Sequence, residues 1–235
     1  MPIYDREEQY IRLLSNGSGR TVSELSRILF VSEPTVRRDL IVLKKKELVT
    51  CHRGLVTLSV KSPDKRIPLF IRNSEHTAAK DAIARKALCH VKDGYAIMLD
   101  ASTTAFHLLP YLADFKNILV ITNGVNATLE ATNLGIRTIC TGGEITLDSH
   151  CFVGTDAEHT LSKYNADVAF FSCRGIDDNG LITDNSILEN SIRRIMINHS
   201  KKSVLLCDRS KFGHSYLNTL CNVKDLSAVI SDDAV

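Results

Sequence analysis

Val31-Ser32-Glu33-Pro34-Thr35-Val36-Arg37-Arg38-Asp39-Leu40 reads as the opening of a helix whose start and buried face are both specified. Ser32 is suited to the N-cap, where a side-chain oxygen accepts a backbone N–H of the first turn. Pro34 falls inside that turn, where a missing N–H costs little. Val36, Leu40 and Leu43 recur at i, i+4 and i+7 and must face a core, which leaves Glu33, Thr35, Arg37, Arg38 and Lys45 on the outer arc. A short helix with a hydroxyl and two adjacent guanidiniums near its N-terminal end suits the DNA major groove, where arginine reaches guanine O6 and N7 or clamps phosphates. For this stretch alone, a solvated surface helix with Lys44, Lys45 and Lys46 at its negative end is an equal reading.

The flanking segments favour the first reading. Thr21 followed by Glu24 is a capping-box pattern that starts an earlier helix of about two turns, carrying Val22, Leu25, Ile28 and Leu29 inward. Before it, residues 4–15 set Tyr10, Ile11, Leu13 and Leu14 against Arg6, Glu7, Glu8 and Arg12, an amphipathic helix ended by Asn16-Gly17-Ser18-Gly19. Three short helices, the last two separated by a tight turn, have helix-turn-helix spacing. After Glu47, Leu48 to Leu58 reads as two β-rich runs around a polar turn, a wing.

Charge divides along the same line. Residues 1–75 hold 14 Lys/Arg against 9 Asp/Glu, a balance of +5, and residues 76–235 hold 15 against 18, a balance of −3. A basic head on a mildly acidic body suggests that only the head meets a polyanion. With 235 residues, 44% hydrophobic and 24% charged, the chain can bury one large core or two unequal ones, which excludes disorder and coiled coil. Its longest apolar runs, Val168–Phe171 and Ile118–Ile121, fall far short of the roughly 20 residues that span a bilayer. Asp5, Arg6, Glu7 and Glu8 give no basic-then-apolar leader, so a cytoplasmic chain without membrane contact is expected.

The cysteines at 51, 89, 140, 151, 173, 207 and 221 are odd in number and form no C-x-x-C pair, so most are expected as small buried hydrophobes. Cys51-His52, Cys89-His90 and His150-Cys151 are neighbours that point to opposite faces of a strand, so no metal site is expected. No cofactor is expected either.

Lys61 to Asn73, with Pro63 and Pro68 among charges, reads as a junction. The expected organisation is a head at 1–58, a linker at 59–75 and a body at 76–235. In the body, Thr77–His90 forms a helix with Ala79, Ile83, Ala84, Ala87 and Leu88 inward. Strand-like runs follow at Tyr95–Leu99, Ile118–Ile121, Ile136–Cys140, Val168–Cys173, Ser203–Cys207 and Ala228–Ile230. They alternate with helices near 104–112, 125–133, 155–164 and 185–199. The fold class expected is α/β: a winged helix-turn-helix followed by a mostly parallel sheet covered by helices on both faces. Ligands of such sheets sit at the carboxyl ends of the strands. There the sequence places Asp100-Ala101-Ser102-Thr103-Thr104, Thr122-Asn123-Gly124, Thr141-Gly142-Gly143-Glu144, Arg174-Gly175-Ile176-Asp177 and Cys207-Asp208-Arg209-Ser210-Lys211-Phe212. Hydroxyls and N–H groups at the start of a helix suit an anion, although Ser and Thr after a strand often only cap the helix.

Val31 to Leu40 resembles the recognition segment V-S-x-x-T-I-R-R-D-L of the DeoR family of bacterial regulators of sugar metabolism. The family's wing pattern, R-x-H-G-G-A, is replaced by Cys51-His52-Arg53-Gly54-Leu55-Val56, and Phe30 stands in the turn where a small residue or Asn is usual. A bulky residue there at φ > 0 would be strained. The resemblance continues through Asp100-Ala-Ser-Thr-Thr, Thr122-Asn, Gly142-Gly, Gly154, the Arg174-Gly-Ile-Asp to Asp184 stretch, Glu189 and Asp208-Arg-Ser-Lys-Phe-Gly213, so it covers the chain in the family's order. Ser102 replaces a Gly common in the family loop. The family's effector domain is similar to ribose-5-phosphate isomerase. The resemblance implies Ser102, Thr103 and Thr104 on a sugar phosphate, with Asn123, Asp177, Asp184, Glu189 and Lys211 lining the sugar end and Asp100, Gly142, Gly143 and Arg174 in the same loops. The candidate DNA contacts are Thr21, Ser32, Glu33, Thr35, Arg37, Arg38, Lys45 and Arg53. The expected partners are double-stranded operator DNA, a phosphorylated sugar effector and further copies of the chain in a homodimer or homotetramer. Family chains continue past the last strand, so this one is expected to end early. The expected function is a regulator, most readily a repressor of a carbohydrate operon, and not an enzyme. The competitor is an aldose–ketose isomerase using Asp177 or Glu189.

Overall fold

The computed structural model describes residues 3–14, 19–46, 48–59, 69–146 and 148–232. The chain divides into two compact units, Met1–Glu75 and His76–Val235.

The first unit runs α1 (Ile3–Leu14), β1 (Arg20–Thr21), α2 (Val22–Leu29), α3 (Glu33–Lys45), β2 (Val49–His52), β3 (Leu55–Leu58) and α4 (Leu69–Ser74). The caps are as the sequence implies. Thr21 Oγ1 accepts the N–H of Glu24 at 3.2 Å while the Glu24 carboxylate accepts the N–H of Thr21 at 2.7 Å. Ser32 Oγ accepts the N–H of Thr35, and Pro34 lies in the first turn of α3. Tyr10, Ile11 and Leu14 of α1 close on Leu25, Val36, Leu40, Leu43, Val49 and Val56 to form one core. Ile28, expected inward, is exposed, because two turns of α2 bury only Leu25 fully, with Val22 and Leu29 at the edge. Phe30 does adopt the left-handed region, at φ 53°, and is exposed. The strands form an antiparallel sheet in the order β1-β3-β2. Of the segment expected as a linker, residues 60–68 lie outside the described residues, and α4 packs against α1.

The second unit opens with α5 (Thr77–Ala87) and a 3-10 turn at Leu88–His90. It continues through β4 (Ala96–Leu99), α6 (Thr103–Phe106), α7 (Leu109–Leu112), β5 (Leu119–Thr122), α8 (Val125–Asn133) and β6 (Arg137–Cys140). The hairpin β7 (Glu144–Ile145) and β8 (Phe152–Val153) precedes α9 (Thr155–Ser162) and β9 (Val168–Phe171). Then come β10 (Gly175–Ile176), β11 (Leu181–Asp184), α10 (Ile187–Asn198), β12 (Ser203–Leu206), β13 (Asn218–Asn222) and β14 (Ala228–Ile230). All six expected strands join one parallel sheet in the order β14-β12-β9-β4-β5-β6. Alternate side chains feed two cores. Ile97, Leu99, Val120, Phe170 and Leu206 pack with Ile83, Leu108, Leu109 and Ala127, while Met98, Ile121 and Ala169 pack with Ala157, Leu161, Ile192 and Met196. A small antiparallel sheet, β10-β11-β13, covers a third cluster around Phe171, Ile182 and Leu205.

Several expectations change in detail. The helix expected at 104–112 is two pieces, with Pro110 in the first turn of α7, where it has no N–H to continue α6. The strand expected to reach Cys173 ends at Phe171. Cys151, Cys173 and Cys207 are buried, but Cys51 and Cys89 are exposed, since they sit on the wing and at a helix end instead of in the central strands.

Candidate functional site

On the head, α3 presents Arg37, Arg38 and Lys45 to solvent, with Glu33 and Thr35 half-buried. Arg37 makes only an exposed i, i+4 pair with Glu33 at 3.3 Å, worth a few tenths of a kcal/mol and easily exchanged for another anion. Asp39, in contrast, is buried. Its carboxylate accepts Arg6 Nε at 2.8 Å, Arg6 Nη2 at 3.1 Å and the Tyr10 hydroxyl at 3.2 Å. This network fixes α3 to α1. Burial, then the charge of Asp39 and its hydrogen bond, push the Tyr10 phenol well above its ordinary range. The wing turns through only two residues, Arg53 at φ 50° and Gly54 at φ 81°, between the paired His52 and Leu55. Both central residues need φ > 0 in such a turn, and Gly54 supplies one at no cost. Arg53 therefore stands exposed at the wing tip. Thr21 and Ser32 carry the caps of α2 and α3.

In the second unit the chain winds from β4 through β5 to β6 on one side, then from β9 through β12 to β14 on the other. The carboxyl ends of β4 and β9 thus flank the point where the winding reverses, the crevice in which open sheets of this kind bind ligands. Asp100 closes that point. Its Oδ1 accepts Ser102 N–H at 3.1 Å and its Oδ2 accepts Ser172 N–H at 3.2 Å, joining the two strand ends. Arg193 of α10 then gathers three of the expected carboxylates: Nε reaches Asp100 at 3.1 Å, Nη1 reaches Asp184 at 2.8 Å and Nη2 reaches Glu189 at 3.2 Å. Nη1 also meets Asn190 Oδ1 at 3.0 Å. Burial alone would lower the arginine's pKa, but Asp184, Asp100 and Glu189 together drive it upward, so it is fixed as a cation. Glu189 accepts the Ser149 hydroxyl at 2.7 Å on its other oxygen.

Ser102 caps α6, its Oγ accepting Ala105 N–H at 3.2 Å. Thr103 and Thr104 are buried, and Thr104 Oγ1 has no hydrogen-bond partner among the described residues. Asn123, at the end of the neighbouring strand, donates through Nδ2 to Phe152 O at 3.0 Å, and its buried Oδ1 is likewise unpartnered. The two loops touch: a Cβ on Gly124 would lie 3.1 Å from Ala101 Cα. On the other side of the crevice, Lys211 Nζ donates to Cys173 O at 2.7 Å and Ser172 Oγ at 3.2 Å. Arg174 stacks over the Tyr216 ring at 4.8 Å. Asp177 stands apart from this gathering, because its Oδ1 accepts the N–H groups of Asn179 and Leu181 and shapes the turn between β10 and β11. Gly142 and Gly143, both at φ > 0, lead from the edge strand β6 into β7.

Arg193, Ser172, Asn190 and Ser149 were missed by sequence reasoning, although Glu189 and Arg193 have i, i+4 spacing that could have flagged the pair. Lys80 was missed as well. It is buried on α5, which packs against α6, and after burial itself it is the main influence lowering the pKa of His107. Among the described residues there is no cluster of His, Cys, Asp and Glu fit to hold a metal ion. Nor is any described helix long and apolar enough to cross a membrane.

Comparison with known proteins matches two family models in succession along the chain. Residues 6–61 match the DeoR-like helix-turn-helix domain and residues 75–233 the DeoR C terminal sensor domain. The chain is 34% identical to the uncharacterized HTH-type transcriptional regulator YulB of Bacillus subtilis, over 100% of this chain and 91% of that one. It is 31% identical to the L-fucose operon activator of Escherichia coli, over 97% and 94%. Among solved structures, eIF2B delta from Chaetomium thermophilum shares the fold at 19% identity and TM-score 0.50, over 71% and 61% of the two chains. Ribose 5-phosphate isomerase A from Methanocaldococcus jannaschii matches at 18% and TM-score 0.44, over 59% and 55%. With a capped helix-turn-helix at one end and a sheet crevice matching a sensor domain at the other, the chain belongs to the DeoR family of helix-turn-helix transcriptional regulators.

Proposed function

We propose that this regulator represses a carbohydrate-utilisation operon and that a phosphorylated sugar, bound at the crevice between β4 and β9, releases it from the operator. The observation that carries this reading is the pair of buried, unpartnered oxygens, Thr104 Oγ1 and Asn123 Oδ1, on touching loops at the carboxyl edge of the sheet. A buried polar atom without a partner costs about 1–3 kcal/mol, which a ligand hydroxyl or phosphate oxygen recovers. Ser102, Thr103 and Thr104 would take the phosphate, with Lys80 and Lys211 supplying positive charge nearby. Asn123, Arg174 and the Asp184–Glu189 side would take the sugar hydroxyls.

In the head, residues 33–45 would lie in the major groove with Arg53 of the wing toward the backbone, and a homodimer or homotetramer would set heads on half-sites one helical turn or its multiples apart. Occupancy of the operator suffices to block transcription, whereas activation needs a further contact. To release the operator, the sugar phosphate must favour the off-DNA state; 10- to 100-fold corresponds to a coupling of about 1–3 kcal/mol.

An aldose–ketose isomerase is the second reading. It needs a carboxylate available to take a proton, yet Glu189 is engaged on both oxygens and Asp177 holds a backbone turn. This geometry favours recognition. The test is thermal unfolding against a panel of phosphorylated sugars and their unphosphorylated parents, followed by operator binding. A stabilisation specific to one phosphorylated sugar, which also weakens DNA binding, is expected. Indifference to every phosphorylated sugar would overturn the effector assignment, stronger operator binding with the sugar would reverse the sign, and sustained turnover would establish the isomerase.

A further inference from the structure

The buried residues of α3 are Val36, Asp39, Leu40 and Leu43. With about 100° of rotation per residue, the face directly opposite them is Pro34, Arg37, Arg38 and Ile41, spaced i, i+3, i+4 and i+7. All four are exposed, and Ile41 retains 58% of its surface. Ile41 thus occupies the middle of the outward stripe, with Arg37 and Arg38 one turn before it and Lys44 and Lys45 one turn after.

Ile41 is a β-branched residue of modest helix propensity at the centre of a cationic stripe, and the four surrounding cations make it a poor seat for an apolar protein surface, which would have to desolvate them. The same cations suit a phosphate-walled groove. Inside the major groove, the C5-methyl of thymine is the apolar feature available to such a side chain.

We propose that Ile41 is a specificity-determining residue that packs against a thymine methyl group in each operator half-site. The proposal rests on α3 being the helix that enters the groove. Arg37 and Arg38 would flank the contact and supply affinity, and Ile41 would make one base pair of the half-site T·A by its methyl alone.

The experiment uses the full chain. Operator duplexes are selected from a randomised pool, and each thymine is then replaced singly by deoxyuridine, which removes only the methyl group. Wild type should lose roughly 3- to 10-fold in affinity at one thymine per half-site, the scale of one buried methyl group. Ile41→Ala should bind the thymine and uracil duplexes equally, and Ile41→Val, which keeps a branched methyl, should retain part of the preference. Because Ile41 is exposed and alanine favours helix, both variants should fold as wild type, checked by an unchanged melting temperature. Equal discrimination in Ile41→Ala and wild type, or no thymine whose methyl matters, overturns the proposal. Wild-type affinity in both Arg37→Ala and Arg38→Ala overturns the groove reading instead. Arginine variants that bind weakly but still distinguish thymine from uracil leave both standing.

Discussion

Each unit ties an arginine to carboxylates, and the two are placed differently: Arg6 of the head is partly exposed, while Arg193 of the second unit is buried. In the head, Arg6 reaches Asp39, whose carboxylate also accepts the Tyr10 hydroxyl. In the sensor unit, one guanidinium, Arg193, reaches three carboxylates, Asp100, Asp184 and Glu189. The same carboxylates also accept backbone N–H groups of Ser102, Ser172, Asn185 and Ser186 and the Ser149 hydroxyl. A buried carboxylate on α3 held by two groups of α1 suits a lock that fixes the pose of α3. A cluster held by many dipoles at a strand-end crevice suits a site whose balance a bound molecule can alter.

The largest break in this contrast is Arg193→Met, which leaves three carboxylates without their cation. It should cost the sensor unit about 3–5 kcal/mol in chemical denaturation, with amide exchange rising in β4 and α10 and not in α3. A loss below about 1 kcal/mol would show that the N–H donors alone hold the carboxylates. Asp39→Asn should destabilise the head by about 2 kcal/mol, less than Arg193→Met because Arg6 is partly exposed and can turn to water. Its operator affinity should fall as well, and unchanged amide exchange in α3 would remove the lock from the account.

Tyr10→Phe should cost about 1 kcal/mol near neutral pH and reveal a pH dependence. The phenol's pKa is raised in the folded head, so folding retains the proton. The contribution is present in full below the unfolded value of about 10 and is lost as the pH climbs from there toward the folded value. Wild type should therefore weaken above about pH 10 more steeply than Tyr10→Phe; parallel alkaline slopes would contradict the assignment. The smallest stability effect belongs to Thr104→Val. It removes an unpartnered hydroxyl, and should leave melting unchanged or raise it by up to about 1 kcal/mol while abolishing the shift given by the sugar phosphate. A shift as large as wild type would place the ligand elsewhere.

Much of this was readable beforehand where a pattern repeats. Six apolar runs gave six parallel strands because burial on both faces leaves a continuous Val/Ile/Leu/Phe signature. The caps at Thr21 and Ser32 were readable because capping depends on residues three apart. The strands β7, β8 and β10 were invisible, since two residues cannot show a period, and β13 is mostly polar. Asp100, Asp184 and Glu189 were named one at a time, each at a strand or helix end. What draws them together is Arg193, which charge counting cannot separate from its neighbour Arg194. Its spacing from Ile192 and Met196, both buried, is the signal that places it inward. Asp39 was hidden for the opposite reason: an acid amid arginines reads as surface until the fold brings Arg6 and Tyr10, some thirty positions away, against it.

Gly124 adopts φ −90° and ψ 126°, angles open to every amino acid. Its demand is spatial, since any Cβ would sit 3.1 Å from Ala101 Cα and 3.2 Å from Ala127 Cβ. A side chain that backbone preference would allow here therefore requires Ala101 or Ala127 to yield by a few tenths of an ångström. If the proposed effector sits on the 100–104 segment, a descendant adapting to a bulkier metabolite finds little slack beneath that segment, and room is more readily made on the opposite side, around Arg174 and Lys211.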